Sequence, residues 1–252
     1  MEGCTPREYM LHAFPIAAAE AEPEEIERTA YRKRNFFDKL LRRPKRRSRY
    51  YITEPSYTYW PGFASLAAPI YLEGYWQQEQ YFSDIADVIR QDFAFPLLPS
   101  ASALLADRIA QSPDSISIHI RRGDYLSNPI ANTVLGPCSI EYYREAMARV
   151  LSATGGQGHA FFFSDDPGWI REHLDIQGIP TILIGCAGHA AAPWHDMHLM
   201  RLCKHHIIAN SSFSWWGAWL SSGEGLIVAP QRWFAEKTMR HDNPAAASWV
   251  KI

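Results

Sequence analysis

The stretch that decides the fold runs from His195 to Leu220 and reads HDMHLMRLCKHHIIANSSFSWWGAWL. Apolar residues between Asp196 and Cys203 recur at a spacing that approximates one face of a helix, and His206–Ala209 is a short apolar run suited to a buried parallel strand. A polar loop, Asn210–Ser214, comes next, and Trp215–Leu220 completes the stretch as a second helix. The sequence therefore predicts a helix, a buried strand, a loop and a helix in succession.

The loop of this stretch has the composition of an anion-binding loop. It brings small hydroxyl and amide side chains to the carboxyl end of the predicted strand, just before the second helix. A hydroxyl of Ser212 or Ser214 can cap that helix, and the backbone N–H groups at a helix start, helped by the helix dipole, suit a bound phosphate. Two interpretations stay open here: a phosphate site, or a capping serine followed by tryptophans that only fill the core.

Strand and helix patterns alternate regularly after Pro113. Such alternation favours right-handed crossovers and a doubly wound parallel sheet, with ligand sites at the carboxyl ends of its strands. The predicted elements are strand Ser115–Arg121, helix Ser139–Ala153, strand Ala160–Phe163, helix Pro167–Leu174, strand Thr181–Ile184 and strand Leu226–Ala229.

The chain before Pro113 has a less regular pattern, and we place a domain boundary between residues 112 and 113. This gives a smaller first unit, 1–112, and a second unit, 113–252. The elements predicted for the first unit are one or two helices in Glu20–Arg43, strand and loop in Tyr50–Phe63, strand Tyr71–Trp76, helix Gln77–Asp92 and helix Pro99–Ser112.

Composition excludes several classes of protein. Hydrophobic residues make up 47% and charged residues 21% of the 252 residues, with a formal net charge of −2, so no global nucleic-acid signature is present. The four cysteines are scattered and form no Cys-x-x-Cys pair, which indicates neither a zinc site nor a disulfide framework and fits a reducing cytoplasm. The apolar runs are far shorter than the roughly 20 residues that span a bilayer.

A basic run broken by proline covers residues 42–49. A solvated loop is one interpretation, and attraction to an anionic membrane surface or to nucleic acid is the other. The cations that would make a peripheral membrane contact are Arg42, Arg43, Lys45, Arg46 and Arg47.

Two further polar clusters follow predicted strands. In the first, Arg121 and Arg122 come directly after a buried strand, and Gly123 lets the backbone approach a ligand closely. Planar guanidinium groups suit a pyrophosphate, although surface arginines paired with Asp124 are the alternative. In the second cluster, Phe161–Trp169, two carboxylates leave a strand end, where they can accept hydrogen bonds from a base or sugar or cap the next helix.

The chemistry of such a site can be argued from charge. A sugar donor that leaves as a nucleoside diphosphate develops negative charge, which a metal or protein cations and amide dipoles must neutralise. The chain contains no Asp-x-Asp, a metal-holding motif, so Arg121, Arg122 and the amides after Asn210 are the substitutes. Inversion then needs only a base for the acceptor proton, and Asp124 and His119 are both candidates.

Together these clusters resemble the α-1,2-fucosyltransferase family. The resemblance rests on HIRRGDY at His119–Tyr125, FFSDD at Phe162–Asp166 and most of the stretch from Asp196 to Leu220. The segment YLEGYWQQEQYF, Tyr71–Phe82, is similar to the family as well, so the resemblance covers most of the chain.

The resemblance implies an α/β protein with a GT-B-like fold of two Rossmann-like units, a shortened N-terminal one on the acceptor side and a C-terminal one that binds GDP-fucose. It implies inverting, metal-independent transfer of L-fucose from GDP-fucose to the 2-hydroxyl of a galactoside in a bacterial surface glycan such as lipopolysaccharide. No cofactor or nucleic-acid partner is expected. The implied location is the cytoplasm, at the inner face of the membrane.

Residue by residue, the resemblance places the pyrophosphate near Arg121 and the loop of Ser211, Ser212 and Phe213, and the guanosine near Asp166. Catalytic roles fall on Arg121, Asp124 and His119. The full implied donor-binding set is His119, Arg121, Arg122, Asp166, Asn210, Ser211, Ser212 and Phe213.

One departure concerns the first residues. The family begins with a strand and a glycine-rich turn, and no counterpart of that turn is found here. Two interpretations stay open: a shortened gene product, in which the cleft wall opposite the donor is incomplete, or a sequence that begins at a late start codon. Two functional hypotheses follow: an active fucosyltransferase, or a catalytically weak or inactive remnant that retains affinity for GDP-fucose.

Overall fold

The larger sheet of the computed structural model has six parallel strands, and the structure describes residues 9–33, 38, 40–174, 178–185, 192–236 and 243–252. The strands of these residues are β1 (Tyr51–Thr53), β2 (Tyr71–Glu73), β3 (Ser115–Ile120), β4 (His159–Ser164), β5 (Thr181–Gly185), β6 (His205–Ile207), β7 (Ile227–Ala229) and β8 (Val250–Lys251). The α-helices are α1 (Pro23–Ala30), α2 (Ala86–Asp92), α3 (Ser100–Ala110), α4 (Gly123–Ser127), α5 (Pro129–Val134), α6 (Ile140–Ala153), α7 (Pro167–His173), α8 (Trp194–Leu202) and α9 (Ser212–Trp219).

The strand order in the six-stranded sheet is β5-β4-β3-β6-β7-β8, and every neighbouring pair is parallel. The chain builds outward from β3 through β4 and β5, returns to the other side of β3 as β6, and builds outward again. This is the order of a Rossmann-type sheet, whose ligands bind where the order reverses. The predicted doubly wound parallel sheet is confirmed, and its switch point lies between β3 and β6.

Helices cover both faces of the sheet. On one face Phe162 lies in a cluster with side chains of α6 and α7. On the other face Phe161 and Phe163 lie with Ile109 of α3 and Leu199 of α8. Because β4 is buried on both faces, its sequence is a continuous apolar run rather than an alternation.

The chain divides into two compact units, one of residues 17–86 and one of residues 1–16 with 87–252. This differs from the division at residues 112 and 113 that the sequence suggests. Pro113 does end a helical segment, but Ile109 of α3 is buried against the sheet of the larger unit, so packing assigns α3 to that unit. The roles of the two units, acceptor side and donor side, stay predictions.

The smaller unit contains a two-stranded parallel sheet in which Tyr51 pairs with Tyr71 and Thr53 with Glu73. In its described residues, β1 and β2 are the strands that form a sheet. The Rossmann-like sheet expected for the first unit is therefore not seen in this part of the chain.

Helix boundaries differ from the predictions where several residues can serve as caps or where turns are tight. Helix α9 begins at Ser212 rather than Trp215, and Ser211, not Ser212 or Ser214, caps it by accepting the N–H of Phe213 at 3.3 Å. The predicted helix Gln77–Asp92 consists of two 3-10 turns followed by α2.

Other predicted helices and strands agree with the structure only in part. The predicted helical region Glu20–Arg43 contains α1, and residues 34–37 and 39 lie outside the described residues. Helices α4 and α5 and strand β8 have no counterpart among the predicted elements. No helix in the described ranges combines the length and the apolar character needed to cross a membrane.

Two buried histidines make the stability of the fold depend on pH. His119 and His206 are only 3% and 1% exposed. Burial, together with the charge of Arg121 for His119 and of His205 for His206, lowers the pKa of each from 6.5 to about 3. An unfolded histidine binds a proton near pH 6.5. The unfolded state therefore binds more protons between pH 6.5 and 3, and stability falls as the pH is lowered through that range.

We predict that His119 and His206 together lower the free energy of unfolding by about 2–3 kcal/mol between pH 6 and pH 5, since each contributes about 1.4 kcal/mol per pH unit. Burial also lowers the pKa of His198, to about 4, so the total fall is larger than the share of these two histidines. Denaturant titrations at several pH values measure the slope. A His206→Gln variant should reduce it by about 1.4 kcal/mol per pH unit, and an unchanged slope in that variant would contradict the assignment.

Candidate functional site at the sheet switch point

Polar side chains gather where β3 and β6 end. The two strands are neighbours, with Ile118 paired to Ile207. Beyond their ends, the hydroxyl of Tyr125 donates to the carbonyl of Asn210 at 2.9 Å. The residues that follow the two strands therefore form one site at the switch point.

Arg121 is held between two carboxylates. Its Nη2 lies 2.9 Å from Oδ1 of Asp124, and its Nη1 lies 2.9 Å from Oδ2 of Asp165. Burial alone would lower the pKa of Arg121, but the hydrogen bond to Asp124 and the charge of Asp165 outweigh it and raise that pKa above its usual value. The guanidinium is thus charged at any working pH, and its direction is fixed from two sides.

Asp165 also binds the backbone that follows β3. Its Oδ1 accepts the N–H of Arg122 at 3.0 Å, and its Oδ2 accepts the N–H of Gly123 at 3.2 Å. A Cβ at Gly123 would lie 3.0 Å from Oδ2 and 3.3 Å from Cγ of Asp165. A glycine at the start of α4 therefore allows this carboxylate to lie directly against the backbone.

Arg122 is stacked and paired. Its guanidinium carbon lies 4.2 Å from the centre of the Trp169 ring, and its Nε donates to Oδ2 of Asp166 at 3.2 Å. The other oxygen of Asp166 accepts the N–H of Trp169 at 3.1 Å and caps α7. Of the two roles predicted for this strand end, helix capping is seen, the hydrogen bonds to a base or sugar stay a prediction, and the contact with Arg122 was not predicted.

His119 lies behind the arginines and is enclosed by protein. Its ring centre is 5.7 Å from that of Phe213, and its Nδ1 is buried without a hydrogen-bond partner in the described chain. With a pKa near 3 it is neutral at pH 7. The structure therefore connects the predicted histidine to the loop after β6 through packing.

Asn210 joins three loops, its own and the loops after α5 and β7. The two N–H groups of its amide are shared among the carbonyls of Leu135, Gly136 and Trp233 at 3.1, 2.9 and 3.0 Å. Its Oδ1 accepts the thiol of Cys138 at 3.4 Å, and the residue is 2% exposed. The direct substrate contact predicted for Asn210 does not fit this geometry, because its side chain is already occupied by the protein.

The rest of the loop is open to solvent to different degrees. Ser212 is exposed, while Ser211 and Phe213 are half-buried. Ser214 is buried and donates to the carbonyl of Ser211 at 3.3 Å. The hydroxyl and amide groups at the start of α9 are therefore the accessible part of this loop.

The site combines predicted and unpredicted residues. The arginines, Asp124 and Asp166 lie together as the motifs suggest. Asp165 was noted in the sequence only as one of two carboxylates at a strand end, yet the structure makes it a partner of three donors. Its position directly after the buried strand β4 was the available signal, but nothing in the sequence shows which of two adjacent aspartates pairs with Arg121.

The basic run of the smaller unit is largely paired. Lys45 contacts Glu27, Arg43 lies 3.7 Å from Asp38, and Arg47 lies 3.0 Å from Glu73. The remaining cations of the predicted membrane contact are Arg42 and Arg46, both exposed.

The arrangement at the switch point can bind and orient an anion with guanidinium groups and helix-start amides. In the described part of the chain, no group of three His, Cys, Asp or Glu side chains could hold a metal ion.

Comparison with known proteins connects this site to a family. The sequence model of glycosyl transferase family 11 matches residues 41–252. The chain is 35% identical over 190 residues to an alpha-1,2-colitosyltransferase of Escherichia coli, a match that covers 75% of this chain and 64% of the relative. No solved structure matches the chain significantly.

Two further relatives are more distant or matched over a shorter part. The O-antigen biosynthesis glycosyltransferase WbnK of Escherichia coli is 38% identical over 128 residues, 50% of this chain and 41% of that protein. Galactoside alpha-(1,2)-fucosyltransferase 1 of Plecturocebus brunneus is 26% identical over 211 residues, 75% of this chain and 54% of that protein. The matches thus span less than two thirds of the length of these relatives.

The Asn210 network predicts a loss of stability on truncation. Asn210→Ala would leave one buried and two half-buried carbonyls without their donor, so we expect the free energy of unfolding to fall by about 2–4 kcal/mol. Asn128→Ala, which removes the cap of α5, should lower it by only about 1 kcal/mol. Urea denaturation of the two variants measures both values, and equal losses would show that the amide of Asn210 is not a special support of the site.

Proposed function

The chain belongs to glycosyl transferase family 11, and we propose that it is an inverting, metal-independent glycosyltransferase that moves L-fucose from GDP-fucose to the 2-hydroxyl of a galactoside. The single observation that carries the proposal is the pair of arginines at the switch point of a Rossmann-order sheet. A leaving diphosphate needs positive charge and oriented donors, and this is where such a sheet binds its ligand.

Different residues of the site are proposed to bind different parts of the donor. We assign the pyrophosphate to Arg121 and to the loop of Ser211, Ser212 and Phe213, whose amides lie at the positive end of the α9 dipole. Arg122 adds a second cation beside it. The side chain of Asp166 is 35% exposed, so its carboxylate can accept hydrogen bonds from the guanine.

Asp124 is the better of the two predicted bases. A base must reach the acceptor hydroxyl to take up its proton. His119 is 3% exposed, so an acceptor hydroxyl has little access to it. The Asp124 side chain is 26% exposed and stands beside Arg121, next to the proposed site of bond breaking.

The acceptor is proposed from the relatives. One is named for O-antigen biosynthesis and another for a galactoside acceptor, which favours a galactose-terminated surface glycan on a lipid carrier. We place the reaction at the cytoplasmic face of the membrane, with Arg42 and Arg46 as the cations still available for a peripheral contact with anionic lipid.

Colitose is a second candidate for the donor sugar, because one relative is named for its transfer. Colitose is the 3-deoxy form of fucose, so the two donors differ by a single hydroxyl group. A site that hydrogen-bonds this hydroxyl would discriminate strongly against the donor that lacks it.

We predict that purified protein transfers fucose from GDP-fucose to lactose at equal rates with magnesium or with a chelator. GDP should likewise raise the melting temperature equally in both conditions, because cations and amides of the protein bind the diphosphate. Chromatographic product analysis and thermal shift assays give these values, with GDP-colitose as a parallel donor. Strict magnesium dependence would contradict the proposal, and GDP binding without transfer would favour the inactive remnant.

Arg121→Lys should weaken GDP binding by about 1.5–3 kcal/mol, because a lysine keeps the charge but cannot bridge two partners and a phosphate at once. Isothermal titration calorimetry measures the change. Arg149→Lys is the matched control, since the ion pair of Arg149 with Glu145 lies on the exposed face of α6. Equal affinity of the Arg121→Lys and wild-type proteins would remove Arg121 from the donor site.

A further inference from the structure

The charged side chains at the switch point carry more negative than positive charge, so their sum does not attract an anion. Two guanidinium groups, those of Arg121 and Arg122, face three carboxylates, those of Asp124, Asp165 and Asp166. A site that attracted a diphosphate by charge alone would leave its arginines free of acidic partners. The three carboxylates must therefore serve a purpose other than attraction.

Asp165 is the most heavily engaged of the three. Its Oδ2 lies 2.9 Å from Nη1 of the Arg121 guanidinium, and it accepts the backbone N–H groups of Arg122 and Gly123 at 3.0 and 3.2 Å. Its side chain is only 17% exposed, whereas that of Asp166 is 35% exposed. Asp165 is therefore the carboxylate that contacts both the Arg121 side chain and the backbone that follows β3.

The contacts of Arg121 leave a defined set of donors. A guanidinium carries five N–H groups. Nη2 lies 2.9 Å from Oδ1 of Asp124 and Nη1 lies 2.9 Å from Oδ2 of Asp165, so both ends of the group are paired with a carboxylate. Because the group is planar and paired at both ends, the directions of its N–H groups are set.

We propose that Asp165 is a positioning residue for the donor: it holds Arg121 so that the remaining N–H groups meet the diphosphate of the sugar nucleotide, and it lowers the affinity for anions in doing so. This inference rests on the proposed function. In the absence of Asp165 the guanidinium would keep one anchor, Asp124, and could rotate about it. Anions would then bind at least as well, while the leaving group would be held less accurately during transfer.

The test is Asp165→Asn, which keeps the size of the side chain but removes its charge. We expect GDP to bind no more weakly than to wild-type protein and inorganic pyrophosphate to bind about threefold more tightly. The kcat of transfer should fall by roughly tenfold or more. A purely structural role would not separate binding from turnover in this way.

Asp114→Asn is the matched control. Asp114 also pairs with a cation, Lys204 at 2.9 Å, and with His205, but it precedes β3 and so lies at the opposite end of the same strand. This variant should lose stability without a change in kcat or in pyrophosphate affinity.

A double-mutant cycle shows whether Asp165 acts through Arg121. A lysine at position 121 has one nitrogen and cannot be oriented by two carboxylates, so Asp165→Asn added to Arg121→Lys should change kcat by less than about threefold. Additive losses of kcat in the double variant would overturn the inference, as would a fall in GDP affinity with kcat unchanged.

The outcomes separate this inference from the proposed function. Wild-type protein that binds no GDP and transfers no sugar would contradict the proposed function. Pyrophosphate affinity would still test Asp165 in that case, because unchanged binding in Asp165→Asn would refute the competition between this carboxylate and an anion.

Discussion

The burial of β3 on both faces is the constraint on which the site depends. All residues from Ser115 to Ile120 are buried, with β4 on one side and β6 on the other. A charge inside such a strand would be costly without a partner, so the first charged side chain appears immediately after its end, at Arg121. The reversal of strand order beside β3 opens a crevice at the same point. The position of the arginines therefore follows from the packing of one strand.

The crevice is rigid because its polar groups are bound to one another. Arg121 lies between two carboxylates, and the amide of Asn210 ties the loop after β6 to the loops after α5 and β7. The Tyr125 hydroxyl adds a direct link between the segments after β3 and β6. Polar groups that are bound to one another in this way favour one arrangement, so loops at a strand edge can hold a ligand site without regular secondary structure.

Much of the larger unit could be predicted because its elements are long and strongly patterned. The alternation of β3 to β7 with helices predicted the parallel sheet, and the motifs at the strand ends pointed to Arg121 and Arg122.

The sequence could not show where the two units separate, since Pro113 ends a helix whether or not that helix packs on the following sheet. Nor could it distinguish the cap at Ser211 from Ser212 and Ser214, as each hydroxyl suits the role. The enclosure of Asn210 depends on loops far away in the chain, which no local pattern reports.

Two helices begin at the switch point, and their different caps decide how each can serve a ligand. Helix α4 follows β3, and the carboxylate of Asp165 accepts the N–H groups of Arg122 and Gly123 at its start. A full negative charge there compensates the helix end. Helix α9 follows β6 and is capped by the neutral hydroxyl of Ser211, with no acidic residue in its first turn. The positive end of its dipole is therefore available to an incoming anion. Under the proposed function, phosphate oxygens would bind the amides at the start of α9 and the guanidinium groups beside α4. Helix α9 would then contribute the positive end of its dipole, and the arginines beside α4 would contribute oriented positive charge.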